Sequence, residues 1–275
     1  MDPQIYIDLL KKVLIDYHRR GSEYKPLYAN DPSWKKKMLM LLDAAVRSIT
    51  KGRFTIVERV DFKKENREGG RDWPANAESM IGLKRMENIE FCVKSIIADK
   101  IPGDLIETGV WRGGATIFMR ALLKVNDVGD RVVWVADSFE GLPKPDEDKY
   151  AADKGDKHHT KEELAVGVEI VKANFEKYGL LDDQVKFLVG WFKDTLPTAP
   201  IKKLALIRLD GDMYESTMDA LVSLYPKLSP GGYLIIDDYF LKGCKQAIVD
   251  YRKEHNITEE IIDIDGMGAY WRKKA

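Results

Sequence analysis

Apolar positions along the chain switch between two rhythms. Apolar runs occur at Leu105-Ile106, Val132-Val133-Trp134-Val135-Ala136, Val185 to Val189 (interrupted by Lys186), Leu204 to Leu209 (interrupted by Arg208) and Tyr233 to Ile236. Between them lie windows in which apolar residues recur every three or four positions: Ile117 to Leu123, Leu164 to Tyr178, Ser216 to Leu228 and Cys244 to Glu254. The first rhythm predicts strands buried on both faces and the second predicts amphipathic helices. Their alternation predicts a doubly wound α/β fold with a mostly parallel sheet. The tail reads as two closing strands, Glu260 to Ile264 and Gly268 to Arg272, joined by Asp265-Gly266-Met267-Gly268.

Ahead of the first strand the pattern is helical. Asp2-Pro3 is a cap and first-turn pair, and Ile5, Leu9, Val13 and Tyr17 follow at spacing four. A second helix is expected from Asp31-Pro32-Ser33 through Ile49, and a third through Ile89, Val93, Ile96 and Ile97, stopped by Pro102-Gly103. Between Lys51 and Asn76 periodicity fades and charge dominates, as it does again from Lys144 to Lys161. Each tract is either a solvated loop or a lid that orders over a ligand. The expected division is residues 1–76, N-terminal helices with a lid or oligomerisation segment, and residues 77–275, the α/β domain.

Composition narrows the function classes. With 44 Lys+Arg against 45 Asp+Glu in 275 residues, there is no global field to recruit nucleic acid. No apolar run approaches a membrane span, and the N-terminus lacks a basic region followed by an apolar core, so a cytoplasmic protein is expected. Cys92 and Cys244 match no metal or redox spacing and read as free thiols. His158-His159, adjacent in the second polar tract, read as solvated loop residues.

The turn after the first strand, Glu107-Thr108-Gly109-Val110-Trp111-Arg112-Gly113-Gly114, is glycine-rich and leads into a helix. A dinucleotide site would show G-x-G-x-x-G, with free N–H groups around a pyrophosphate. Here an acid precedes the first glycine. A carboxylate would repel a pyrophosphate and attract a cation, which favours S-adenosylmethionine, a sulfonium, over NAD. Asp137 ends the second strand, where an acid can accept hydrogen bonds from ribose hydroxyls. Two further strands end in Asp210-Gly211-Asp212 and Asp237-Asp238. Carboxylates crowded at one sheet edge need compensation, and an all-oxygen set favours Mg²⁺. Asp210, Asp237 and Asp238 are the expected metal ligands. Asp212 is then free to act as general base on a substrate hydroxyl.

The motifs together resemble the macrocin O-methyltransferase family: the Glu107 turn, Ala136-Asp137-Ser138-Phe139-Glu140-Gly141-Leu142-Pro143, Gly190-Trp191-Phe192-Lys193-Asp194-Thr195-Leu196-Pro197, Arg208 to Thr217, and Ile236-Asp237-Asp238-Tyr239. The resemblance runs from about Trp73 to Arg272. It implies a Rossmann-like class I methyltransferase sheet with an antiparallel last strand and an N-terminal helical extension. It implies Mg²⁺-dependent methylation of a hydroxyl, typically of a deoxysugar on an antibiotic scaffold, with S-adenosylmethionine as donor. Glu107, Thr108, Gly109, Gly113, Asp137 and Ser138 would contact the donor. Met80 and the Gly190-Trp191 turn would lie near donor or acceptor. Homo-oligomers formed through the N-terminal helices, and loops that close over the site, are implied as well. A phenol or catechol acceptor would use the same metal logic. An NAD-linked oxidoreductase and a binding protein that has lost activity are the competing classes.

Overall fold

The computed structural model describes residues 2–27 and 34–274. Helix α1 (Pro3–Leu14) starts where the cap predicts, the Asp2 carboxylate accepting the Gln4 N–H at 2.8 Å. Its apolar face, Ile7, Leu10 and Leu14, packs into the same cluster as the helices of the α/β domain. Lys11 crosses to Glu90 at 2.6 Å.

Strand β1 (Glu23–Pro26) follows, then α2 (Trp34–Thr50), whose expected start at Asp31-Pro32-Ser33 lies outside the described residues. β2 (Val57–Val60) pairs antiparallel with β1. The apolar pattern does not predict this hairpin, because Glu-Tyr-Lys-Pro and Val-Glu-Arg-Val carry no apolar run. After α3 (Lys64–Glu68) the region is tied together by Arg67. Its guanidinium donates to the carbonyls of Ile15 and Asp16 at 3.0 and 2.7 Å, to Asp72 at 2.9 Å, and to Glu23.

The remaining elements are α4 (Gly82–Ala98), β3 (Asp104–Thr108), α5 (Gly114–Val125), β4 (Val133–Asp137), α6 (Val168–Lys177), β5 (Val185–Val189), α7 (Phe192–Thr195), β6 (Leu204–Leu209), α8 (Tyr214–Leu224), β7 (Leu228–Ile236), α9 (Lys242–Glu254), β8 (Ile262–Asp263) and β9 (Ala269–Arg272). They form one sheet in the order β5-β4-β3-β6-β7-β9-β8. β3 to β7 are parallel, and β9 runs antiparallel to both β7 and β8. Connections from β3 wind one way through β4 to β5, and the chain then returns to place β6 on the other side of β3. The crevice between β3 and β6 is therefore the switch point where ligands bind in open α/β sheets.

One sheet face is covered by a cluster containing Ile89, Val93, Phe118, Leu122 and Phe175, the other by one containing Leu221, Leu224, Ile248, Tyr251 and Trp271. Burial of each such side chain stabilises the fold by about 1.5–3 kcal/mol. β7 begins earlier than its apolar run: it takes in Ser229-Pro230-Gly231-Gly232, and its pairing with β6 shifts register there, which is where a strand tolerates proline. No helix among the described residues is long and apolar enough to cross a membrane.

Candidate active site

A cavity of about 440 Å³ opens at the carboxyl ends of β3, β4, β6 and β7. Glu107, Gly109, Asp137, Ser138, Met80, Trp191, Asp210, Asp212, Asp237 and Asp238 all line it. Thr108, Gly113 and Gly190 do not. Thr108 is buried at the end of β3, Gly113 caps α5 in a left-handed conformation (φ 85°), and Gly190 turns the chain out of β5 at φ 134°. These three shape the backbone around the cavity.

Gly109 has a different task from simple ligand approach. A Cβ there would overlap the Asp210 carbonyl oxygen, so the turns after β3 and β6 can meet only across a glycine. Non-glycine residues also take left-handed backbone after the strand ends: Trp111 (φ 48°) and Asp212 (φ 56°), which line the cavity, and Phe139 (φ 58°), next to the lining residue Ser138. Such conformations cluster at functional sites.

The Asp137 carboxylate accepts the Val110 and Phe139 N–H groups, both at 2.7 Å, and so fastens the β3 turn to the β4 turn. Burial still pushes its carboxyl upward against those bonds. Ser138 donates to the Gly141 carbonyl at 2.7 Å and accepts the Glu140 N–H at 3.0 Å.

Beneath the cavity lies a buried ionic network that sequence reasoning misses. Arg208 is fully buried on β6 and donates to Glu107, to Asp237 and, at 2.8 Å, to Asp210. Arg85, from α4, donates to the other oxygen of Asp237 and lies 3.1 Å from Asp265. A signal exists in the chain, since an arginine inside the otherwise apolar Leu204 to Leu209 run needs buried partners. Among the described residues, Glu107 Oε2 has no protein partner. Burial, with Asp210 and Asp237 nearby, raises the Glu107 carboxyl to about 8 despite Arg208.

Asp210, Asp237 and Asp238 each offer an oxygen within 4.8 Å of the others, a spacing that one divalent cation can span. Burial raises the Asp210 and Asp238 carboxyls; repulsion from Asp237 adds to it at Asp210, and repulsion from Asp212, Asp210 and Asp237 adds to it at Asp238. Asp212 is raised to about 8 by burial and by Asp210, Asp156 and Asp237, with Lys161 opposing. Its own N–H donates to Asp238 at 3.1 Å.

The tract after β4 is ordered as short 3-10 turns. Asp153 accepts the N–H groups of Tyr214 and Glu215 at 2.6 and 3.2 Å, capping α8, and Trp111 Nε1 donates to the Glu163 carbonyl at 2.9 Å. His158 departs from expectation, for it is not a solvated loop residue. It lines the cavity, and its Nδ1 meets Asp156 at 2.7 Å. His159 lies outside the lining, with its Nδ1 buried and without a partner among the described residues. Sequence could not show this, because the fold of the tract depends on the Asp153 contact to α8.

Comparison with known proteins agrees with the geometry. The demethyldecarbamoylnovobiocin O-methyltransferase of Streptomyces niveus is 57% identical over 274 residues, covering 99% of this chain and 94% of that one. The 8-demethyl-8-(2,3-dimethoxy-alpha-L-rhamnosyl)-tetracenomycin-C 4'-O-methyltransferase of Streptomyces olivaceus is 48% identical over 273 residues, covering 98% of this chain and 93% of its own. Among solved structures, the O-methyltransferase NovP superposes with a TM-score of 0.83 at 47% identity, with both chains covered completely. Residues 3–273 match the macrocin-O-methyltransferase (TylF) family. The acid-led β3 turn, the strand-end acids and the Rossmann-like sheet thus belong together: this chain is a member of the macrocin-O-methyltransferase family and an S-adenosylmethionine-dependent O-methyltransferase.

Proposed function

We propose that this enzyme methylates a hydroxyl of a sugar, most commonly a deoxysugar, carried on a natural product, and that it does so with Mg²⁺. The observation that carries the reading is the excess of acid in and beneath the cavity: Glu107, Asp210, Asp212, Asp237, Asp238 and Asp265 stand against Arg85 and Arg208 as the buried guanidiniums paired with them. Such an excess fits cationic ligands.

Glu107 Oε2, at the cavity and without a protein partner among the described residues, fits the ammonium of the methyl donor. Asp137 and Ser138 hold the rim where a ribose would sit, with Met80 and Trp191 also in the lining. S-adenosylmethionine supplies an activated methyl, which the attacking hydroxyl oxygen accepts as the methyl–sulfur bond breaks and S-adenosylhomocysteine departs. Asp210, Asp237 and Asp238 would hold Mg²⁺, whose charge makes a nearby hydroxyl more acidic. Asp212 takes the proton. Burial first, and then Asp210, Asp156 and Asp237, raise its carboxyl to about 8, so neutralising the charge of Asp210 and Asp237 favours the ionised form that a base requires.

Arg208 and Arg85 act as positioning residues, fixing both oxygens of Asp237 from behind. The sugar assignment draws on the relative from Streptomyces olivaceus, whose name specifies a rhamnosyl acceptor. We extend the proposal to self-association. Helix α2 exposes Trp34, Met38, Leu41, Leu42 and Ile49, an apolar surface suited to a second copy of the chain.

The test is a methyl-transfer assay with the two glycosides named for the relatives, demethyldecarbamoylnovobiocin and 8-demethyl-8-(2,3-dimethoxy-α-L-rhamnosyl)-tetracenomycin C. Catechol serves as the competing acceptor, with and without EDTA. Turnover of a glycoside that EDTA abolishes and Mg²⁺ restores supports the reading. Turnover of catechol alone replaces the acceptor class, and turnover indifferent to EDTA removes the metal.

A further inference from the structure

His158 and Asp156 form a dyad on the cavity wall contributed by the tract after β4. Asp156 grips the histidine twice: one carboxylate oxygen accepts the His158 main-chain N–H at 2.8 Å, and the other meets Nδ1 at 2.7 Å. A carboxylate oxygen only accepts, so Nδ1 carries the hydrogen. In the neutral ring Nε2 then holds a lone pair. No protein donor reaches Nε2 among the described residues, while the ring is 25% exposed and lines the cavity.

The tract is tied down on both sides of the dyad. Three residues before Asp156, Asp153 caps the first turn of α8, whose start lies just beyond Asp212. On the far side Lys161 lies over the Trp73 ring at 4.6 Å. Asp156 is close enough to Asp212 to raise its carboxyl, so the dyad and the aspartate share one electrostatic environment. His158 is not part of the carboxylate group that could hold a cation. An oriented imidazole acceptor, set in a cavity rich in acids, is suited to a hydroxyl donor.

We propose that His158, oriented by Asp156, binds the acceptor by taking a hydrogen bond at Nε2 from a hydroxyl next to the one methylated. The inference rests on the sugar reading and sharpens it, because it requires a vicinal diol or a longer run of hydroxyls. A lone alcohol or simple phenol could not satisfy both sites at once.

The experiment measures kcat and KM for wild type, His158→Phe, His158→Gln and Asp156→Ala, using demethyldecarbamoylnovobiocin, its deoxy analogue lacking the neighbouring hydroxyl, and the 2,3-dimethoxyrhamnosyl glycoside, which has no free neighbouring hydroxyl and whose KM should not respond to His158→Phe. His158→Phe should raise the demethyldecarbamoylnovobiocin KM about tenfold, leave the S-adenosylmethionine KM unchanged, and lose discrimination between parent and deoxy analogue. His158→Gln, which keeps an acceptor oxygen, should recover most of the loss, and Asp156→Ala should show part of it. An unchanged demethyldecarbamoylnovobiocin KM in His158→Phe overturns the inference, as does discrimination that persists in that variant. Equal rises in KM for donor and acceptor would mean that the residue merely packs the tract. If wild type methylates neither glycoside, the sugar reading falls and this inference with it; activity in wild type with no change in His158→Phe sinks this inference alone.

Discussion

Glu107 and Arg208 face each other across adjacent parallel strands, in register on β3 and β6, and their side chains are paired beneath the cavity. The same guanidinium holds Asp237 and Asp210. Replacement by Met would leave these carboxylates facing one another without their shared cation. We expect Arg208→Met to lower unfolding free energy by about 3–5 kcal/mol in urea denaturation. A loss below about 1 kcal/mol would mean that the network contributes little.

Asp238, unlike Asp237, has no guanidinium partner among the described residues, and it lies within cation-sharing distance of Asp210. Asp238→Asn keeps the side chain's shape and removes its charge. Methyl transfer should fall at least about a hundredfold, on the scale of losing an electrostatic group at the reacting centre, and the Mg²⁺ concentration for half-maximal rate should rise. A variant with normal Mg²⁺ dependence would remove Asp238 from the proposed site.

Gly109→Ala would drive a methyl group into the Asp210 carbonyl, at a residue whose φ of 85° an alanine rarely adopts. Donor affinity by calorimetry should drop sharply and the melting temperature should fall with it. Unaltered donor binding would show that the turns after β3 and β6 can part without consequence.

Asp219 lines the cavity from α8, and burial together with Glu215 raises its carboxyl to about 6. The folded form thus holds its proton more tightly than the unfolded chain. Its contribution to stability is complete below the ordinary carboxylate range and is lost as pH rises through about 6. Asp219→Asn should therefore melt higher than wild type at about pH 8, with the difference shrinking toward about pH 4. A difference that instead grows on acidification would reverse the sign.

The exposed apolar face of α2 yields a test of self-association. Leu41→Lys with Ile49→Lys changes two of its most exposed side chains, 74% and 82% accessible. Sedimentation should report a smaller assembly than wild type. If wild type is already monomeric, the proposed interface does not exist.

Most of the sheet was legible because a buried parallel strand must be almost continuously apolar, as β4 and β6 are, while β5, the half-exposed edge strand, keeps enough of the pattern around Lys186 to be seen. The acids were legible because each ends such a run. What escaped was set by distant contacts. The β1–β2 hairpin has no apolar signature and hangs on Arg67, whose partners lie up to 52 residues away. The wall containing His158 forms because Asp153 caps a helix 61 residues further on. Arg208 is visible as an oddity in its strand, but its partners come from β3 and from the turns after β6 and β7, a grouping only the fold supplies. The motifs suggest ligand contacts at Thr108, Gly113 and Gly190, and in the fold these three shape the backbone around the cavity without lining it.

The bracket around Arg67 bears on how acceptor range could be redesigned. Ile15, Asp16, Glu23 and Asp72, its partners, all lie on the N-terminal side of the cavity-lining Trp73. A segment exchanged between relatives at a junction just after Asp72 carries the complete set of charges with it. A junction placed after β2 would separate the guanidinium from Ile15, Asp16 and Glu23 and ask two unrelated surfaces to complement each other. The transferable module in this architecture is therefore defined by one arginine's coordination, and it ends later than the last strand of the hairpin.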